Sequence, residues 1–320
     1  MRLLPLPPPA GTADRTVRRL AFSADGRFLT AVVGRPDNPR RRLVRYDLAR
    51  DLPGPMPTAA NKADRPTGDP AAGPDGRTSA ELISPMSLVV LTADDRLTLG
   101  ARPGEYFTGL GFSADGDTLY VGVDAVDPFD DATALRFARL DVPHWREVGH
   151  PDRIDEAVPT DDVAPAVCFA DAGGGVLAVG TSAGTAVLFD LIAAVPLLTV
   201  EHGLGDADPP PVQEVLLRPD GQHLVTRSDR GVVVWDAVTG GWLARPDAAR
   251  PLTGVAFAPD GSALWASSLD GTAYRFAAPR YAAAGKLALG LGPLHSVAVA
   301  PDGLTAAAGT AAGTVAVWDV

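Results

Sequence analysis

Short apolar runs recur along the chain, and each stops at a turn-forming triplet. The runs are Leu20-Ala21-Phe22, Leu110-Gly111-Phe112, Val167-Cys168-Phe169, Val215-Leu216-Leu217, Val255-Ala256-Phe257 and Val297-Ala298-Val299. The triplets are Ala-Asp-Gly or Pro-Asp-Gly, or a decayed form of them; the last is Pro301-Asp302-Gly303. Proline presets φ at the start of such a turn, and glycine supplies the positive φ that other residues resist. Apolar runs this short, bounded by turn residues, predict strands buried on both faces. A second strand follows each turn, as in Phe28-Leu29-Thr30-Ala31-Val32 and Leu119-Tyr120-Val121-Gly122-Val123. A third ends in an aromatic–Asp pair: Tyr46-Asp47, Phe189-Asp190, Trp235-Asp236 and Trp318-Asp319. Leu140-Asp141 and Phe276-Ala277 hold the corresponding places and depart from that pattern.

The turn glycines set the period. They are Gly26, Gly116, Gly173, Gly221, Gly261 and Gly303, at steps of 90, 57, 48, 40 and 42 residues. The first step is double the rest, so a degenerate unit is expected between Asp47 and Glu105. Seven units over 320 residues give about 46 residues each, near the roughly 40–45 of a four-stranded propeller blade. The expected fold is all-β: a seven-bladed β-propeller of four-stranded antiparallel blades, with six blades as the fallback, in a single domain spanning 1–320. The chain stops just after the third strand of its last unit, and Met1 to Leu6 precede the first unit. A strand within residues 1–10 is therefore expected to close the last blade. Pro5 and Pro7 are tolerable there only because an outermost strand has a free edge.

These repeats resemble the WD-repeat β-propeller family over most of the chain. The last three units match best and the second worst. The family's structural hydrogen-bond set of His, Asp, Ser or Thr, and Trp is largely missing from the sequence, as is the Gly-His dipeptide that opens its repeats. The resemblance implies a clasp between the chain termini and a protein-interaction scaffold.

Composition narrows the partners. The net charge is −11, which argues against nucleic acid, because that contact needs basic surface to displace counterions. An anionic membrane is disfavoured for the same reason. Lysine occurs only at Lys62 and Lys286 among many arginines, a bias expected of bacterial GC-rich coding. One cysteine, Cys168, excludes an internal disulfide and reads as a small core residue. No run approaches the length of a membrane span, and the start does not resemble a secretory signal. The expected compartment is the cytoplasm, and the expected state in isolation is a monomer.

In a propeller, connections from the fourth strand to the next first strand emerge on one face, together with those from second to third. Units 4 to 7 have tight second-to-third turns, whereas unit 1 inserts Arg35 to Arg42 and unit 3 inserts Asp124 to Ala134. Residues 52–80, rich in Pro, Gly and Ala, read as a mobile loop. Residues 142–164, with His144, Trp145 and His150, and residues 201–212, ending in Pro209-Pro210-Pro211, read as further long connectors to the same face. Long loops in a compact domain are usually functional or disordered, so a partner is expected on the loop face of blades 1–4.

Arg40, Arg41 and Arg42, with Arg45 nearby, form the densest basic patch and suit a carboxylate-rich peptide through bidentate contacts; the alternative is a solvated hairpin tip. Trp145 is either an interface anchor or a residue that packs its loop onto the ring. Gly180-Thr181-Ser182-Ala183-Gly184 matches G-x-S-x-G, but that elbow needs a strand-to-helix turn; here it reads as a repeat turn. Asp124, Asp127, Asp130 and Asp131 lack the spacing of an EF-hand loop. His144, His150 and His202 lack the spacing of a zinc set. Gly290-Leu291-Gly292 is no dinucleotide fingerprint. No catalytic residue, cofactor or metal ligand is expected. The alternative readings are a metal-dependent, lactonase-like enzyme working in the central channel, or an obligate structural subunit. Against the enzyme, the first-strand starts read Arg18, Thr108, Ala166, Gln213, Thr253 and His295, which make no metal cage.

Overall fold

The computed structural model describes residues 1–5, 15–34, 42–49, 52–55, 71–92, 95–125, 134–159, 164–171, 173–203 and 208–320. Strand β1 (Arg2–Pro5) leads into seven four-stranded blades. Blade 1 is β2 (Val17–Phe22), β3 (Phe28–Val33), β4 (Arg42–Asp47) and β5 (Leu52–Pro55). Blade 2 is β6 (Ala71–Ala72), β7 (Ser79–Ser84), β8 (Ser87–Leu91) and β9 (Arg96–Gly100). Blade 3 is β10 (Glu105–Phe112), β11 (Thr118–Ala125), β12 (Ala134–Asp141) and β13 (Arg153–Pro159), with helix α1 (Val142–Val148) before its last strand. Blade 4 is β14 (Ala166–Asp171), β15 (Val176–Thr181), β16 (Thr185–Asp190) and β17 (Val195–Glu201). Blade 5 is β18 (Glu214–Leu217), β19 (His223–Ser228), β20 (Gly231–Asp236) and β21 (Trp242–Ala244). Blade 6 is β22 (Leu252–Phe257), β23 (Ala263–Ser268), β24 (Thr272–Ala277) and β25 (Ala282–Ala288). Blade 7 is β26 (Leu294–Val299), β27 (Thr305–Thr310) and β28 (Thr314–Asp319), completed by β1. Below, strands a to d run from the axis outward in each blade.

The expected closing strand is present: Arg2 to Pro5 pair antiparallel with Val317 to Thr314. The seven-blade count holds, and the fallback of six does not. Burial follows the radius. Strand b of blade 1 is buried at all six positions, whereas strand d of blade 6 is exposed at six of seven. The apolar core lies between blades. Leu4, Val17, Val44 and Val315 form one cluster across the seam of blades 1 and 7, and Cys168, Leu188, Leu224 and Trp235 form another between blades 4 and 5. Each fully buried Leu or Val contributes about 1.5–3 kcal/mol, and that stabilisation is shared by neighbours, as in other repeat arrays.

The repeated triplet has one job in every blade that carries it. The Asp carboxylate accepts the backbone N–H two residues on, from Asp25 to Arg27, Asp115 to Asp117, Asp220 to Gln222, Asp260 to Ser262 and Asp302 to Leu304. The glycine between sits at φ of 68° to 83° in these five turns. The aromatic–Asp pair caps the c–d turn in the same way: Asp190 accepts from Ile192 and Ala193, and Asp236 from Val238 and Thr239. In blade 3 the corresponding Asp141 caps α1 instead, accepting from His144 N–H at 2.8 Å. The next residue is Val142, and a proline opens the first turn, where its missing N–H costs nothing.

Two expectations about loops are corrected. Residues 52–80 are not one loop: β5, β6 and the start of β7 lie within them, and 56–70 fall outside the described residues. The hidden second unit carries a full Pro74-Asp75-Gly76 turn, with Asp75 accepting from Arg77 and Thr78. Residues 142–164 are not a connector to the d–a and b–c face either. Helix α1 joins strands c and d of blade 3, so it lies at the opposite end with the a–b turns. There Val142 N–H donates to Asp117 and Arg146 donates to the Thr78 hydroxyl at 2.8 Å.

Candidate functional site

A β-bulge recurs near the start of strand a and turns side chains toward the axis. The a–b register skips between Val17 and Arg19, Phe107 and Leu110, Ala166 and Cys168, Leu252 and Gly254, and Leu294 and Ser296. A bulge adds a residue on one strand and re-aims its side chain. The extra residues in blades 1, 6 and 7 are Arg18, Thr253 and His295, and all three line the central channel, as does Gln213 of blade 5. Hydroxyls at this level also lock blade to blade. Thr108 Oγ1 donates to the Ala166 carbonyl at 2.6 Å, and Thr253 Oγ1 donates to that of Leu294 at 2.8 Å.

The channel encloses about 730 Å³. Its polar groups sit at the b–c and d–a end, because strand-a starts and b–c turns both lie there. Arg227 is bonded twice: Nε donates to Glu214 Oε2 at 2.7 Å and one terminal nitrogen donates to Gln213 Oε1 at 2.8 Å. Arg19 donates to the Gln213 carbonyl at 3.4 Å. Arg18 has no hydrogen-bond or ion-pair partner among the described residues, and its Nε is shut off from solvent. Cys168 also lines the channel wall, but burial pushes its thiol up to about 12, so the thiolate nucleophile is absent near neutrality.

Just outside the channel, blade 5 holds a buried polar chain. Trp235 Nε1 donates to Thr226 Oγ1 at 2.9 Å, His202 Nδ1 meets the same oxygen at 2.8 Å, and His202 Nε2 meets Ser228 Oγ at 2.8 Å. Since Thr226 accepts the indole N–H, its own proton is free for Nδ1, which leaves the ring neutral with hydrogen on Nε2. Desolvation, then the charges of Arg245 and Arg227, pull the His202 pKa down to about 4, in keeping with that state. The hydrogen-bond set largely missing from the sequence pattern is thus realised here among the described residues, with Ser228 taking the place of the aspartate. Trp265 and Trp318, in blades 6 and 7, have no partner for Nε1 among the described residues.

The residues singled out from sequence scatter. Arg40 and Arg41 lie outside the described residues, and Arg42 opens β4. Arg45 is engaged within the ring. Its guanidinium lies 4.9 Å from the Phe28 ring centroid and donates to the Gly76 carbonyl at 3.2 Å, tying blade 1 to the a–b turn of blade 2. Trp145 is no surface anchor: it is 1% exposed and packs with Leu88, Val90, Leu119 and Leu140 between blades 2 and 3. His144 and His150 stack edge to face at 5.8 Å beside α1, away from His202, so the three do not converge. Among the described residues no three His, Cys, Asp or Glu converge as metal ligands. Asp124 lies in β11, while Asp127, Asp130 and Asp131 are outside the described residues. Ser182 sits in the tight b–c turn of blade 4, its N–H donating to Pro165. Among the described residues no helix is long and apolar enough to cross a membrane.

Comparison with known proteins agrees with this architecture. No curated protein matches the sequence. A chain in the crystal structure of a mitotic checkpoint complex superposes with a TM-score of 0.71 at 14% identity, covering 100% of this chain and 91% of the other. At that identity the likeness shows the fold alone. The family profile described as nucleolar protein 10-like, N-terminal domain, a β-propeller, matches residues 102–288. That is more than half the chain, running from the approach to blade 3 to the end of blade 6, and the chain therefore belongs to this family of WD-type β-propellers.

Proposed function

We propose that the protein is a non-catalytic scaffold that seats a partner protein on its b–c and d–a end, over blades 1–4. WD-type propellers commonly serve as interaction scaffolds. The observation that carries the finer reading is the inequality of the b–c connections. Blades 2 and 4–7 close them in tight turns, such as Gly184 N–H to Thr181, Gly271 N–H to Ser268 and Gly313 N–H to Thr310. Blade 1 uses 34–41 and blade 3 uses 126–133 for the same link. Ring closure needs neither insertion, and a rigid ring carrying long connections on one side is the usual form of a recognition surface. The run Arg40, Arg41 and Arg42 spans the end of the first insertion and the start of β4 and suits an acidic segment. The enzyme reading draws little support from the channel wall, where the axis-facing groups of blades 1, 5, 6 and 7 are a guanidinium, an amide, a hydroxyl and a single imidazole.

The test is a graft. Residues 126–133 are replaced by the blade 7 turn Ala311-Ala312-Gly313, and quantitative affinity capture is compared with the parent in extracts of the source cells. The expected result is a partner recovered near stoichiometry by the parent and lost by the graft, at an unchanged melting temperature. Equal recovery by both, or no stoichiometric partner for the parent, contradicts the proposal.

A further inference from the structure

We infer that the polar end of the central channel is an oxyanion site, built around Arg18 and completed by the Gln213 side-chain amide. The site binds a carboxylate or phosphate group and stands apart from the partner reading, since a small anion fills it without any protein.

Four observations carry it. The β2 bulge spends a residue to aim Arg18 at the axis rather than leaving it in the a–b ladder. The guanidinium then meets no acceptor among the described residues, although its Nε is closed to solvent. A buried donor without an acceptor is rare in native structures, and an unfilled ion or water site is one of the few explanations for it. The neighbouring cations are occupied, Arg227 by Glu214 and Gln213 and Arg19 by the Gln213 carbonyl, so Arg18 alone offers an open fork. Gln213, which lines the same channel, gives its amide oxygen to Arg227, which leaves its N–H₂ group, two donors, without an acceptor among the described residues.

Charge points the same way. The channel lining carries Arg18, Arg19 and Arg227 against Glu214 and Asp229, in a chain of net charge −11. Glu214 is neutralised at 2.7 Å by Arg227, and Asp229 is exposed on the blade 5 b–c turn. Cations gathered where the rest of the molecule is acidic favour an anionic guest, and low-dielectric walls focus the field. Guanidinium and amide donors together match the two oxygens of a carboxylate or an edge of a phosphate. The lower wall is apolar, with Leu20, Phe112 and Leu216, so a guest with a short hydrocarbon stem is accommodated as well as a bare ion.

Isothermal titration calorimetry tests this with inorganic phosphate, succinate and a terminally blocked tetraglutamate peptide, each at fixed ionic strength. The expected result is saturable binding of at least one probe by the parent. Arg18→Gln should weaken it by about tenfold to a hundredfold, the loss of a charge-assisted bond, and Arg18→Lys should weaken it less because the charge remains while the fork is lost. The probe that binds tightest identifies the source: free phosphate, a small dicarboxylate or an acidic side chain. If Arg18→Gln does not fold, Arg18→Lys and Gln213→Leu serve in its place, each expected weaker than the parent. Binding of no probe by the parent, or equal binding by the Arg18 variants, overturns the inference.

Discussion

Ser296 of blade 7 donates its hydroxyl proton to the backbone carbonyl of Val17 in blade 1 at 3.0 Å, across 279 positions of sequence. The seam between the chain's two ends is thus closed by the same kind of bond that Thr108 and Thr253 make at interior seams. Strand β1 closes it a second time, with Leu4 packed beside Val315 and Val317. Deleting residues 1–5 removes the buried Leu4 and the outer ladder of blade 7. An expected loss of about 3–5 kcal/mol follows from that burial and the backbone bonds, read as a lower midpoint in urea unfolding. Ser296→Ala should cost about 1 kcal/mol. An unchanged midpoint for the deletion means that the ring does not depend on its clasp.

Thr226 serves two buried groups at once, the Trp235 indole and the His202 ring. Valine keeps its shape and removes the hydroxyl, so Thr226→Val strands the indole N–H and the ring Nδ1, while His202 Nε2 keeps Ser228. The expected cost is about 3 kcal/mol in urea unfolding, since each stranded buried polar group costs roughly 1–3 kcal/mol. The comparison Ser182→Ala, at a half-buried turn position whose N–H rather than hydroxyl makes the bond, should change stability little.

The same chain predicts a pH dependence. Folding holds His202 neutral, its pKa at about 4, below the ordinary 6.5. Above pH 6.5 neither state is protonated and the contribution is intact. As pH falls from 6.5 toward 4, the unfolded chain takes up the proton first and stability drops. The expected loss over that window is about 2 kcal/mol, and His223, which burial also shifts downward, adds to it with the same sign. Urea unfolding at pH 7 and pH 5 should therefore show a slope that His202→Gln reduces. An identical slope in the variant shows that another group is responsible.

The triplet turns separate backbone strain from packing. Gly76 and Gly221 have similar positive φ, 62° and 71°. A Cβ on Gly221 meets nothing within 4 Å, whereas one on Gly76 lies 2.9 Å from both the Phe28 and Ser23 Cβ atoms. Gly221→Ala should cost about 1 kcal/mol, the penalty of a left-handed alanine. Gly76→Ala should cost clearly more in the same unfolding experiment, because blade 2's turn is pressed onto blade 1.

The ring was legible in sequence wherever strand a carried an apolar triplet before its turn, as in blades 5 to 7. Blade 2 was placed only by the doubled period, between Asp47 and Glu105, although Pro74-Asp75-Gly76 is intact, because only Ala71-Ala72 precedes that turn in place of a Val or Phe run. Helix α1 was unreadable because Asp141, which caps a turn elsewhere, has a proline-led helix after it that buries Trp145. A lone tryptophan in a segment of polar residues does not reveal which way it points. The channel site was half legible: Arg18, Gln213, Thr253 and His295 stood out as strand starts, but only the bulge shows that they face one space. His202 reads as a loop histidine, since Thr226 and Ser228 lie more than twenty positions away.

The placement of the partner face is tested most directly by hydrogen exchange on the protein with and without its captured partner. Slowed exchange is expected in peptides spanning 33–42, 123–135 and 201–213, with none in α1 (Val142–Val148) or the a–b turns. Protection confined to α1 and those turns would put the partner on the opposite end and contradict it.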